Sequence, residues 1–188
     1  MELSNVGPTT AWKILICPTR TNYNILDLGP QHMSYHNFDS FREDFRFNNK
    51  RGKAIMVSIY FPLRKSDAEV RAGGHKLNRP CILYCHSQSG CRIEGSFLQE
   101  FCIENGLGLC LFDFEGCGKS QGDYVTLGWR EADDISQIVD LLIGTYNATQ
   151  IVLWGRSMGA VSSIMYAERN SMFLSSMVTS SDSRLPLF

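Results

Sequence analysis

Charge of one sign is what this 188-residue sequence lacks first: 18 basic and 19 acidic residues leave a formal net charge of −1. That balance offers no basic field to recruit nucleic acid or an anionic lipid surface, and it suits a small, weakly charged substrate better than a polyanion. No run approaches the roughly 18 apolar residues of a membrane helix. The first 17 residues hold no apolar stretch of signal-peptide length, so the expectation is a cytoplasmic protein without a transmembrane segment. C-x-x-C is absent. Seven cysteines (17, 81, 85, 91, 102, 110 and 117), odd in number and partly inside apolar runs, read as reduced, buried small hydrophobes. The group Cys81, Cys85, His86 and Cys91 fits no common zinc spacing, so neither metal nor cofactor is expected. Internal repeats and low-complexity segments are also missing, and no histidine follows position 86.

What is present is the composition of a globular chain, 44% hydrophobic and 20% charged. Residues 1–40, with Pro8, Pro18 and Pro30 and no periodicity, read as an irregular N-terminal arm, and 41–188 as a single domain. Phe45–Phe47 and Ala54–Phe61 predict a hairpin across the turn at 48–52. The polar stretch 63–79 predicts an exposed loop. Cys81–Cys85, Leu107–Phe114 and Ile151–Trp154 are continuously apolar, as strands covered on both faces are. Between them lie helical patterns. One opens with a capping box at Ser96-x-x-Gln99 and carries Phe97, Leu98, Phe101 and Cys102 as its stripe, with Gly106 as its stop. A second, from about Trp129 to Ile143, repeats Ile135, Ile138, Val139 and Leu142 at helical spacing. A third starts at Ser157 with Val161, Ile164 and Met165 inward, and a last strand spans Leu174–Thr179. Strands alternating with helices predict an α/β fold with an open, mostly parallel sheet and helices on both faces.

Gly155-Arg156-Ser157-Met158-Gly159 stands between a predicted strand and a predicted helix. A serine nucleophile on so sharp a turn needs small residues two positions either side, because backbone passes close there. The turn lifts Ser157 out of the sheet and aims the Met158 amide, at the positive end of the new helix, at a developing oxyanion. The competing reading is that Ser157 merely caps a helix. After Cys81–Cys85 comes His86-Ser87-Gln88-Ser89-Gly90, a small-residue loop suited to supply the second oxyanion amide, from Gln88 first and Ser89 second. His86 reads as a brace of that loop in preference to a catalytic base. Asp113 through Gly122 imitates a phosphate loop at Gly118-Lys119-Ser120, but the first glycine of that motif would fall at Asp113. A dinucleotide fingerprint fails for want of a glycine at 121. Asp113 and its glycine turn are expected to shape the wall beside the nucleophile.

Taken in order, His86-Ser87-Gln88-Ser89-Gly90, Asp113–Gly122 and Gly155–Gly159 resemble the α/β-hydrolase superfamily, in its serine aminopeptidase, prolyl-oligopeptidase-like and monoacylglycerol-lipase-like branch, over about residues 40–180. Ser87 stands where that pattern has glycine. The resemblance implies a Ser, Asp, His triad in chain order, with the fold incomplete here after its sixth strand; Asp182 is a weak candidate for the acid, and no histidine follows it. Two functions compete. One is a serine hydrolase cleaving an ester, thioester or amide of a small-molecule or peptide substrate through an acyl-enzyme on Ser157. The other is an inactive fragment or binding module of the same fold, because a serine without a base is a poor nucleophile.

Overall fold

A computed structural model describes residues 12–13, 15–64 and 76–170, and the backbone of 176–180. Its strands are β1 (His32–Ser34), β2 (Phe38–Asn48), β3 (Ala54–Arg64), β4 (Cys81–Cys85), β5 (Gly108–Phe112), β6 (Ile151–Arg156) and β7 (Ser176–Ser180). Its helices are α1 (Gln99–Glu104), α2 (Trp129–Gly144) and α3 (Met158–Arg169), with 3-10 segments at Ile25–Leu28 and Arg92–Leu98. One sheet holds all the strands in the order β1-β2-β3-β5-β4-β6-β7. The first three strands and β5 pair antiparallel, and β5, β4, β6 and β7 run parallel to one another.

The two-residue period of the strands sorts the core into two layers. Ile59, Leu83, Cys85, Cys110 and Phe112 point to one face, under Ile135, Ile138 and Leu142 of α2 and Met158 and Tyr166 of α3. Tyr60, Ile82, Tyr84, Leu109 and Leu111 point to the other, under Leu98, Cys102 and Ile103. Both faces being covered is why β4 and β5 are apolar throughout instead of alternating. From β4 the chain moves to β5 through α1 on one face, then back past β4 to β6 through α2 on the other. The carboxyl ends of β4 and β6 therefore flank a reversal in strand order, the place where open α/β sheets form a crevice.

Several expectations are corrected. The irregular arm does not reach residue 40, since His32–Ser34 and the start of Phe38–Asn48 are already sheet. Ser96 caps nothing: it lies inside the 3-10 segment, and α1 begins after Leu98 with no side-chain cap. Phe97 and Phe101 are exposed, and Leu98, Cys102 and Ile103 form the buried stripe. On α3, Val161 and Ile164 face outward, while Gly159, Ala160, Ser162 and Ser163 are buried. Between Met158 and Tyr166, which pack on the core, the buried positions of the helix are all small, with Gly159 against the Cys85 carbonyl. The loop predicted over 63–79 falls largely outside the described residues. The strand predicted over 174–179 is found as β7.

The turn between β2 and β3 is tied to α2 by charge. Asp134, wholly buried, accepts from Asn49 Nδ2 at 3.0 Å and from the Glu115 amide at 3.1 Å, and it pairs with Arg51. Burial pushes its carboxyl up to about 6 despite that guanidinium.

Candidate active site

Ser157 occupies the bend between β6 and α3 at φ 51°, ψ −117°. A side chain other than glycine is strained there by roughly 1–3 kcal/mol, a strain that persists only where the surroundings enforce it. The enforcement is visible at the two flanking glycines. A Cβ on Gly159 would stand 1.9 Å from the carbonyl oxygen of Cys85, and one on Gly155 would stand 2.6 Å from the Cα and N of Ala160. Ser157 itself is exposed and makes no side-chain capping bond. The helix-capping reading therefore fails, and the hydroxyl stands at a turn held in place by close backbone packing.

A cleft of about 560 Å³ opens on this serine. Gln88, Met158 and Ser157 line it together with Leu127, Ala160, Val161 and Ile164. The two residues expected to donate oxyanion amides thus meet at the nucleophile, from segments about 70 positions apart in the chain. Ser89 is not on that wall; its carbonyl accepts from Thr21 Oγ1 at 2.5 Å.

His86 is wholly buried. Its Nε2 accepts from the Phe114 amide at 3.0 Å, so the proton sits on Nδ1, which donates to the Ser87 carbonyl at 2.7 Å. Both ring nitrogens are engaged in bracing the loop against the end of β5. Burial lowers the imidazole's pKa. With the folded value below the unfolded one, its contribution to stability is fully present above the ordinary value near 6.5 and is lost as pH falls below it. The imidazole nitrogen resonances of His86 should keep the Nδ1–H neutral pattern to lower pH than in the unfolded chain. An imidazolium pattern appearing at or above the unfolded-chain midpoint would contradict this bonding.

Asp113, also wholly buried, is not among the residues that line the cleft at Ser157; it is the hub of a separate buried polar cluster. It accepts from the Arg92 amide at 2.7 Å, from the Tyr23 hydroxyl at 2.6 Å and from the Lys119 amide at 2.9 Å. The anion cradled by the glycine-rich turn is therefore the protein's own carboxylate, which accounts for the incomplete likeness to a phosphate loop. Arg92 runs through the core beside it, donating from Nε to Tyr23 at 2.6 Å and from a terminal nitrogen to Ser58 at 2.9 Å.

The sequence reading missed three groups: Tyr23, Arg92 and Glu94. Tyr23 sits in a stretch without periodicity. Arg92 and Glu94 are charged residues that composition assigns to the surface. Their one signal is proximity to the small-residue loop at 86–90. Among the described residues, no histidine is available to Ser157. His32 lies on β1 and His36 just beyond it, five strand spacings or roughly 24 Å from β6. Asp182 and His75 lie outside the described residues.

Residues 95–182 match the family described as serine aminopeptidase, S33. An uncharacterized protein of Bacillus subtilis (strain 168), YqkD, is 28% identical over 87 residues, 46% of this chain and 28% of that protein. The Pyrococcus furiosus esterase Pf2001 superposes with a TM-score of 0.61 at 21% identity, over 86% of this chain and 54% of the esterase. A thermostable carboxyl esterase from Bacillus coagulans, in complex with glycerol, gives 0.59 at 18% identity, over 73% and 43%. The chain spans about half the length of these esterases or less.

Proposed function

We propose, from the premise that this chain is built as an α/β-hydrolase, that it belongs to a serine hydrolase cleaving an ester, thioester or amide through an acyl-enzyme on Ser157. The observation that carries this reading is the strained, exposed serine sharing a cleft with Met158 and Gln88. Ser157 Oγ adds to the substrate carbonyl as its proton passes to a general base, which on this reading lies outside the described residues and later returns the proton to the leaving group. The carbonyl oxygen becomes an oxyanion facing the amides of Met158 and Gln88. Collapse expels the protonated alcohol, thiol or amine, and water then releases the acid from the serine. One such amide donor is worth about 3–4 kcal/mol of barrier. The walls beside the serine, Leu127, Val161 and Ile164, favour an uncharged, apolar acyl group.

A second reading is supported by the histidines: among the described residues, His86, whose carbonyl lies beside Gly159, is buried with both ring nitrogens occupied. On that reading the chain is a non-catalytic module of the same fold. A fluorophosphonate probe separates the two. The natural full-length protein should label and Ser157→Ala should not. Equal labelling of both refutes Ser157 as nucleophile, and silence of a folded wild type favours the binding module.

A further inference from the structure

Glu94 belongs to none of the motifs above, yet it sits where the two halves of the site meet. Its carboxylate accepts from the Ser87 amide at 3.1 Å and from the Ser87 hydroxyl at 2.6 Å. It also accepts from the Tyr84 hydroxyl at 2.9 Å and pairs with Arg156 at 3.5 Å. Ser87 immediately precedes Gln88. Arg156 immediately precedes Ser157. The side chain of Glu94 is 16% exposed, so its bonds to Ser87 and Tyr84 are largely shielded from water, whereas Arg156, at 41%, pairs with it at the solvent edge. Gly90 makes room for it: a Cβ there would stand 2.3 Å from Glu94 Oε2.

The geometry points to Glu94 as a positioning residue that locks the oxyanion loop to the nucleophile's turn, with Ser87 and Arg156 as its two hands. This rests on the serine-hydrolase reading and adds to it how the two amides are held in register. It also accounts for the serine at position 87, whose hydroxyl is one of the attachments. Ser87 is then fixed at every polar group, since its carbonyl accepts from His86 and from the Gly90 amide at 2.9 Å. A bare carboxylate beside a developing oxyanion would oppose it. Arg156 offsets that charge.

Glu94→Gln keeps the shape and removes the charge, and it is the decisive variant on the full-length protein. The initial rate of fluorophosphonate labelling should fall about 10- to 100-fold, the scale of a misplacement near 1 Å. Ser87→Ala should lose part of that, and the double variant should be no slower than Glu94→Gln alone, because the two act through one bond. Wild-type labelling in Glu94→Gln, with Ser157→Ala silent, overturns this inference and leaves the nucleophile standing. Equal labelling of Ser157→Ala and wild type overturns the nucleophile instead. Amide hydrogen exchange supplies a readout that needs no chemistry at the serine. Exchange at the Ser87 amide should quicken at least about 10-fold in Glu94→Gln, and by more than at the core amides of β5 that report any global loss of stability, for loss of one or two net hydrogen bonds to a charged group. Unchanged exchange would equally overturn the inference.

Discussion

Gly159→Ala is expected to cost the chain at least about 3 kcal/mol, the upper end of what overpacking does, and with it the shape of the turn at Ser157. The added methyl carbon would lie 1.9 Å from the Cys85 carbonyl oxygen, 2.4 Å from its carbon and 2.7 Å from the His86 carbonyl oxygen. All three are backbone atoms of β4 and its exit, so no side chain can rotate to make room. Either α3 lifts off the sheet or β4 shifts against β6, and each opens the packing of Met158 and Tyr166 on the core. Against a total stability of about 5–15 kcal/mol, that is a large fraction. Gly144→Ala is the control, because a Cβ there meets nothing within 4 Å. Urea titrations of the two variants should separate cleanly, with Gly144→Ala at or above the wild-type midpoint. A wild-type midpoint for Gly159→Ala would show that the close approach at Cys85 is not maintained in solution.

Asp113→Ala should be comparably damaging, at about 3–5 kcal/mol, the cost of removing one member of a buried charged arrangement. Three donors lose their acceptor: the Tyr23 hydroxyl and the amides of Arg92 and Lys119. The buried guanidinium of Arg92 loses the carboxylate that faces it across the Tyr23 hydroxyl. Tyr23 ties the segment before Ile25–Leu28 to the core, so proteolysis should find new sites in residues 15–29 of this variant. Asp113→Asn, which retains an acceptor oxygen but not the charge, should fall between wild type and Asp113→Ala. If denaturation of Asp113→Ala matched wild type, Arg92 would need another counter-charge within the core.

The contrast between these two positions illustrates what the sequence discloses. Gly159 is legible, because glycines two positions either side of a serine, between an apolar strand and a helix, point to a bend under close packing. The apolar runs of β4, β5 and β6 are legible for a related reason: strands covered on both faces cannot alternate. The role of Asp113 is only half legible. An acid ending an apolar run is visible, but its partner Tyr23 stands 90 residues away in a stretch without period. Arg92 and Glu94 are hidden for the same cause, since the topology, and no local pattern, turns their charges inward. The face of α3 is misleading because helical spacing favours Val161 and Ile164 as core. The turn at Ser157 holds the start of the helix so near the sheet that glycine, alanine and serine, between Met158 and Tyr166, take that side instead.

The pressing of Gly159 onto the Cys85 carbonyl has a consequence for how the chain matures. Neither partner can impose the strained geometry at Ser157 alone, and they come from β4 and α3, separated in sequence by α1, β5, α2 and β6. On the proposed chemistry, a nascent or misassembled chain would carry the serine in an unreactive, relaxed conformation until those distant segments dock. Covalent capture at Ser157 would then time the completion of tertiary assembly as well as count active molecules.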